Sequence, residues 1–148
     1  MPNTKFQTSS NMMKAQNIQN AVHIQSAPQQ EGVNGKKPYD LHERTFEFAK
    51  QVSFFCRRLP RTVSNIEYGK QVIRSSGSVG ANYIEANEAF SKKDFIMRLK
   101  ICRKEAKESA YWFRLVIATN DAEYETEGLQ LIAEATELKK IFSSIIEK

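Results

Sequence analysis

The sequence predicts an all-α protein, an antiparallel up-down four-helix bundle occupying residues 39–148. Three observations carry this. Four stretches place apolar side chains three and four residues apart, the period of one buried helical face. Short links rich in cap and turn residues separate them, so consecutive helices lie side by side in opposite directions. No stretch shows the apolar–polar alternation of a half-buried strand.

The first helix opens at Asp40, with Glu43 three residues on, the pattern of a capping box. Leu41, Thr45, Phe48, Val52, Phe55 and Leu59 follow in steps of four and three, and Pro60 ends the run because proline disfavours helical geometry just before it. Arg61–Ser64 is a short connection. The second helix contains Tyr68–Phe90 (YGKQVIRSSGSVGANYIEANEAF), with Ser, Gly and Ala at its centre. At about 100° per residue, Ile66, Gly69, Val72, Ile73, Ser76, Val79, Gly80, Tyr83 and Ile84 share a packing face. Glu67, Gln71, Arg74, Ser78, Asn82 and Glu85 share the opposite one. Each interior glycine costs about 0.5–1 kcal/mol relative to alanine, so close approach of a neighbouring backbone is expected, with Ser76 and Gly80 one turn apart. The alternative is a break near Gly77 joining two short helices.

The third helix starts at Ser91, paired with Asp94 as a second cap. Its inner face is Phe95, Leu99, Cys102, Ala106, Ser109, Ala110, Phe113 and Ile117. Asn120–Thr126 reads as a loop. The fourth helix runs from about Glu127 to Ile146, with Leu131, Ala135, Leu138, Phe142 and Ile145 at heptad-like spacing. Residues 1–38 are rich in Gln, Asn, Ser and Thr and read as a disordered tail, in which a short helix over Met12–Ile24 would be marginal alone.

The chain carries 22 Lys and Arg against 17 Asp and Glu. Residues 1–38 hold four cations against one acid, residues 39–115 hold 15 against 9, and residues 116–148 hold 3 against 7. A basic middle and an acidic end suit a polyanion or a self-complementary oligomer. There is no apolar run near the length of a membrane span, and no basic-then-apolar leader pattern, so a cytoplasmic protein with no membrane partner is expected. Cys56 and Cys102 sit in apolar helical patterns without CxxC spacing and read as small core residues.

Catalytic patterns are missing. A bundle di-iron site needs Glu-x-x-His pairs, and the only histidines are His23 and His42, neither in such a pair. Glu85/Glu88 and Glu105/Glu108 have the carboxylate spacing, but Arg74, Arg98 and Lys104 offer them cationic partners. No G-x-S-x-G, Cys–His pair or Walker-type loop occurs, and RSSGSVG lacks the Lys-Ser/Thr that phosphate binding wants. No enzymatic activity, metal or cofactor is expected.

The positive signal lies on the third helix. With Phe95 at 0°, Lys93, Lys100, Arg103, Lys104, Lys107 and Arg114 fall between about 80° and 180°, with Tyr111 among them. Such a stripe follows a phosphate backbone, or else is an ordinary solvated face. Acidic Glu134 and Glu137 on the fourth helix of the same or a neighbouring subunit are a third candidate for offsetting the crowded charge. Ile101, Arg98, Glu105, Glu108 and Trp112 occupy another sector, at about 220–300°. Its mixture of apolar and charged groups suggests a second, more polar contact surface, and so an oligomer.

Three runs carry a resemblance to a known family: VIRSSGSVGANYIEANEA (Val72–Ala89), SKKDFIMRLKICRKEAKES (Ser91–Ser109) and YWFRL (Tyr111–Leu115). From Tyr39 onward the chain resembles the 23S rRNA intervening-sequence proteins, also called four helix bundle proteins. The resemblance implies a ring-shaped homopentamer of antiparallel four-helix bundles and no catalysis. Some relatives are encoded within insertions in bacterial 23S rRNA genes. A related group serves diversity-generating retroelements, where a basic pentamer binds nucleic acid and the reverse transcriptase. Transferred to this chain, the motif residues Arg74, Ser78, Asn82, Glu85, Arg98, Glu105 and Glu108 look structural or interfacial. The expected function is thus an oligomeric scaffold that associates with RNA or DNA through the basic face. The alternative is a protein-interaction module, such as a reverse-transcriptase accessory subunit, without direct nucleic-acid binding.

Overall fold

The computed structural model describes residues 40–148. The expected disordered tail, residues 1–38, lies outside them. The described chain is four α-helices and one 3-10 turn: α1 (Leu41–Arg58), α2 (Val63–Asn87), α3 (Lys92–Thr119), the turn Ala122–Tyr124, and α4 (Glu125–Ile146). Each helix packs on the one before it, α3 makes the broadest contacts, and α4 returns to meet α1. No strand occurs among the described residues.

The caps explain where the helices begin. Asp40 Oδ1 accepts from the Glu43 amide at 3.2 Å, Thr62 Oγ1 from the Asn65 amide at 3.1 Å, and Ser91 Oγ from the Asp94 amide at 3.1 Å. Each satisfies an amide that the first turn leaves unpaired. α2 starts inside the stretch expected to be a connection, because Thr62 rather than a later residue is its cap. α4 starts at Glu125, two residues before its expected start, and the middle of the expected loop is a 3-10 turn, Ala122–Tyr124.

The core follows the predicted stripes on α1, α3 and α4. Phe55, Phe113 and Phe142 are among its largest fully buried side chains, together with Leu99, Leu138 and Val52. One end of the bundle is tied by paired amides: Asn65 Nδ2 donates to Asn120 Oδ1 and Asn120 Nδ2 to Asn65 Oδ1, both at 2.8 Å. Asn65 also donates to the Pro60 carbonyl at 2.9 Å, so the two links at that end are joined. Tyr124 adds a bond from its hydroxyl to the Arg58 carbonyl at 3.2 Å.

α2 is one unbroken helix of 25 residues, so the break near Gly77 does not occur. Its buried face, however, is rotated from the predicted one. Asn65, Gly69, Val72, Ser75, Ser76, Val79 and Ala86 are buried, whereas Ile66, Ile73 and Ile84 are 40%, 46% and 55% exposed. Hydrophobicity drew the prediction toward isoleucine, but the crossing with α3 is built from small residues. Ser75 Oγ lies 2.8 Å from Ser109 Oγ across that crossing, and Ser109 Oγ donates to the Glu105 carbonyl at 2.9 Å. With hydroxyls satisfied, serine is buried at little cost and lets the helices approach. The isoleucines are left with Gly77 on one strip about 40° wide, where nothing in the bundle covers them fully.

Candidate nucleic-acid interface

α3 presents three sectors, and each has a different fate. The first is core: Leu99, Cys102, Ala106, Phe113 and Val116 are fully buried. Burial pushes the Cys102 thiol up to about 12 and the Cys56 thiol up to about 11, so both are neutral thiols near pH 7.

The second sector was expected to be a further contact surface, and it is largely taken up within the chain. Arg74 of α2 reaches across to it, donating from Nη2 to Glu108 Oε1 at 2.6 Å and from Nη1 to Glu105 Oε2 at 3.3 Å. Trp112 Nε1 donates to the same Glu108 oxygen at 3.2 Å, and the Trp112 ring lies 6.1 Å from that of Tyr68. Burial alone raises the Glu108 carboxyl, but bonds from Arg74 and Trp112 outweigh it and hold the group below its ordinary value. The Glu108 bond likewise raises Arg74. The physical reason for so broad a stripe is that α3 has helical neighbours on both flanks. Arg98 Nη1 meets Asn82 Oδ1 at 3.4 Å, and Asn82 Nδ2 donates to the Ser78 carbonyl at 2.9 Å, forming a separate and looser contact. Glu85 is exposed and makes no ion pair among the described residues.

The third sector is the basic stripe. Lys93, Lys100, Lys104, Lys107 and Arg114 are exposed and Arg103 is half-buried. From Lys93 to Arg114 the stripe runs about 31 Å along the helix axis. Among the described residues none of the six forms an ion pair; the paired cations are Arg44, Lys50, Arg58, Lys70, Arg74 and Lys140. Within the chain, among the described residues, the acids of α4 make no ion pair with the stripe. Glu134 takes a bidentate pair from Arg44 of α1 at 2.7 and 3.1 Å, and Glu137 takes Lys140 at 3.2 Å. Tyr111 stands within the stripe, 52% exposed, its ring 5.1 Å from that of Trp112 and tilted 66° to it.

No three His, Cys, Asp or Glu side chains converge among the described residues. No described helix is long and apolar enough to cross a membrane.

The family model for the 23S rRNA-intervening sequence protein matches residues 37–144. The chain belongs to that family. It is also similar to a solved structure, that of a protein of unknown function from the S23 ribosomal protein family of Bacteroides thetaiotaomicron. The two share 33% identity and a TM-score of 0.62, over 73% of this chain and 99% of the other. No curated protein matches the sequence. As a 23S rRNA-intervening sequence protein, the chain keeps the α2–α3 network and the basic stripe inside the matched region. Sequence reasoning missed the Ser75–Ser109 and Asn65–Asn120 pairs. Their signal was polar residues recurring at core spacing, which becomes readable only once both partners are placed.

Proposed function

We propose that this 23S rRNA-intervening sequence protein is a non-enzymatic, oligomeric scaffold that associates with RNA or DNA through the α3 stripe. One observation carries the reading: six cations share one sector of one helix, and none has a carboxylate partner among the described residues. Like charges at this spacing repel, and a polyanion relieves the repulsion while releasing its own counterions. Such contacts position a ligand without reading its bases, so binding is expected to be insensitive to sequence. The test is wild-type binding to RNA and to duplex DNA between roughly 50 and 200 mM salt. Affinity that falls steeply and linearly in log–log form supports phosphate contact. A flat profile, or no binding, refutes it.

Assembly is the second part of the proposal. The strip of Ile66, Ile73, Gly77 and Ile84 on α2 is apolar, exposed and continuous with the bundle. A ring-shaped homopentamer would cover it and repeat the basic stripe around an axis, so that weak contacts gain from effective concentration. The number five comes from the family resemblance. The same strip favours the second reading, a protein-interaction module such as a reverse-transcriptase accessory subunit of a diversity-generating retroelement. Light scattering at micromolar concentration decides the assembly claim, and a monomer of about 17 kDa would refute it.

A further inference from the structure

The stripe carries more than charge. Tyr111 stands four residues after Lys107, seven after Lys104 and three before Arg114, so its helical neighbours on that side are cations. It is 52% exposed, although an aromatic ring of this size normally gains by burial. It is also held from behind. Its ring contacts Trp112, and Trp112 is fixed by its bond to Glu108 and by Tyr68. Beyond the other end of the stripe, three residues before Lys93, Phe90 is fully exposed. The bundle thus spends none of the apolar surface of Phe90, and only part of that of Tyr111, on its own core.

We infer that the stripe binds single-stranded nucleic acid, with Tyr111 as a platform on which an unpaired base stacks between flanking phosphate contacts. The inference rests on the nucleic-acid reading above and narrows it to one class of ligand. A duplex keeps the faces of its bases stacked on each other and offers an aromatic side chain only edges. A single strand offers the faces themselves, and every base has one, so stacking adds affinity without sequence preference. Geometry points the same way. The stripe is a straight row of about 31 Å. A flexible strand can follow a straight row along its whole length, whereas the phosphates of a stiff duplex wind away from it.

The experiment uses the full chain and fluorescein-labelled twelve-nucleotide oligouridylate, beside a twelve-base-pair RNA duplex, in anisotropy titrations at one fixed salt concentration. The single strand is expected to bind more tightly. Tyr111→Ala is expected to lose about 5- to 150-fold in single-strand affinity, the range that base–aromatic stacking spans, while Tyr111→Phe keeps the wild-type value. Phe46→Ala, an exposed aromatic on α1, is the control and is expected to bind as wild type. Trp112 is the sole tryptophan, so its emission should change on binding oligouridylate unlabelled. Equal or tighter duplex binding, or a Tyr111→Ala variant that binds the single strand as wild type does, overturns the inference and leaves the broader reading standing. Absence of binding to both probes overturns both.

Discussion

Gly80 of α2 lies close against Thr45 of α1, and its replacement tests how the bundle is packed. A Cβ there would lie 3.0 Å from Thr45 Oγ1 and 3.4 Å from Thr45 Cβ. Thr45 is buried, and its hydroxyl donates to the Leu41 carbonyl at 2.6 Å with the His42 carbonyl at 3.1 Å. It therefore cannot swing aside without losing those bonds. Gly80→Ala gains about 1 kcal/mol of helix propensity and gives back a similar amount in crowding, so its net effect is expected near zero. Gly80→Leu adds three more carbons to the same gap and is expected to cost about 1–3 kcal/mol. Gly69 is the comparison, since nothing lies within 4 Å of its Cβ position. Gly69→Ala is expected to stabilise by about 0.5–1 kcal/mol. Thr45→Ala should relieve the crowding, so the double variant with Gly80→Ala should be more stable than additivity allows, by at least about 0.5 kcal/mol. Guanidinium denaturation at one protomer concentration measures all of these. The packing argument fails if Gly80→Leu is as stable as wild type, or if Gly80→Ala stabilises as much as Gly69→Ala.

Other perturbations reach the polar network and the surface. Arg74→Met strands Glu105, whose side chain is only 10% exposed, beside Glu108. Because Arg74 is itself 48% exposed, the expected loss is discounted to about 1–2 kcal/mol at pH 7. The Glu108 carboxyl is depressed in the fold, so its share is present above the ordinary carboxylate value and lost as pH falls through the lower folded one. The gap between wild type and Arg74→Met should therefore close on acidification, and denaturation curves from pH 7 downward would show it. Ile73→Glu, on the exposed strip of α2, should lower the mass seen by light scattering while leaving helical circular dichroism intact. A chain beginning at Pro38 should keep a single cooperative melt, because the sequence before it has no periodic apolar face.

The helix starts at Asp40 and Ser91 were legible because capping needs a particular residue type at a particular offset, and both appear in one sequence. The stripes of α1, α3 and α4 were legible because Leu, Val and Phe carry them. α2 was legible as a helix but not in its rotation. There Ser75 and Ala86 are buried while three isoleucines are not, and a pattern weighted by hydrophobicity reverses that order. Burial of Ser75 depends on Ser109, 34 residues away, and nothing local announces the pair. The second sector of α3 was legible as more than a solvated face, because tryptophan and isoleucine stand there among charged residues. Its charge and tryptophan meet Arg74 and Tyr68 of the same chain. The basic stripe was legible by spacing alone, and the structure adds that Glu134 and Glu137 are engaged elsewhere.

Charge reversal on that stripe tests the central claim most directly. Lys100, Lys104 and Lys107 are exposed and unpaired among the described residues, so Lys100→Glu/Lys104→Glu/Lys107→Glu should leave folding and assembly unchanged. RNA binding by this variant is compared with wild type at roughly 50 mM salt, after circular dichroism and light scattering have established equal fold and mass. The account predicts that the variant loses binding and that its residual affinity depends less on salt, as fewer phosphates are neutralised. A folded, assembled variant that binds as tightly as wild type would contradict it.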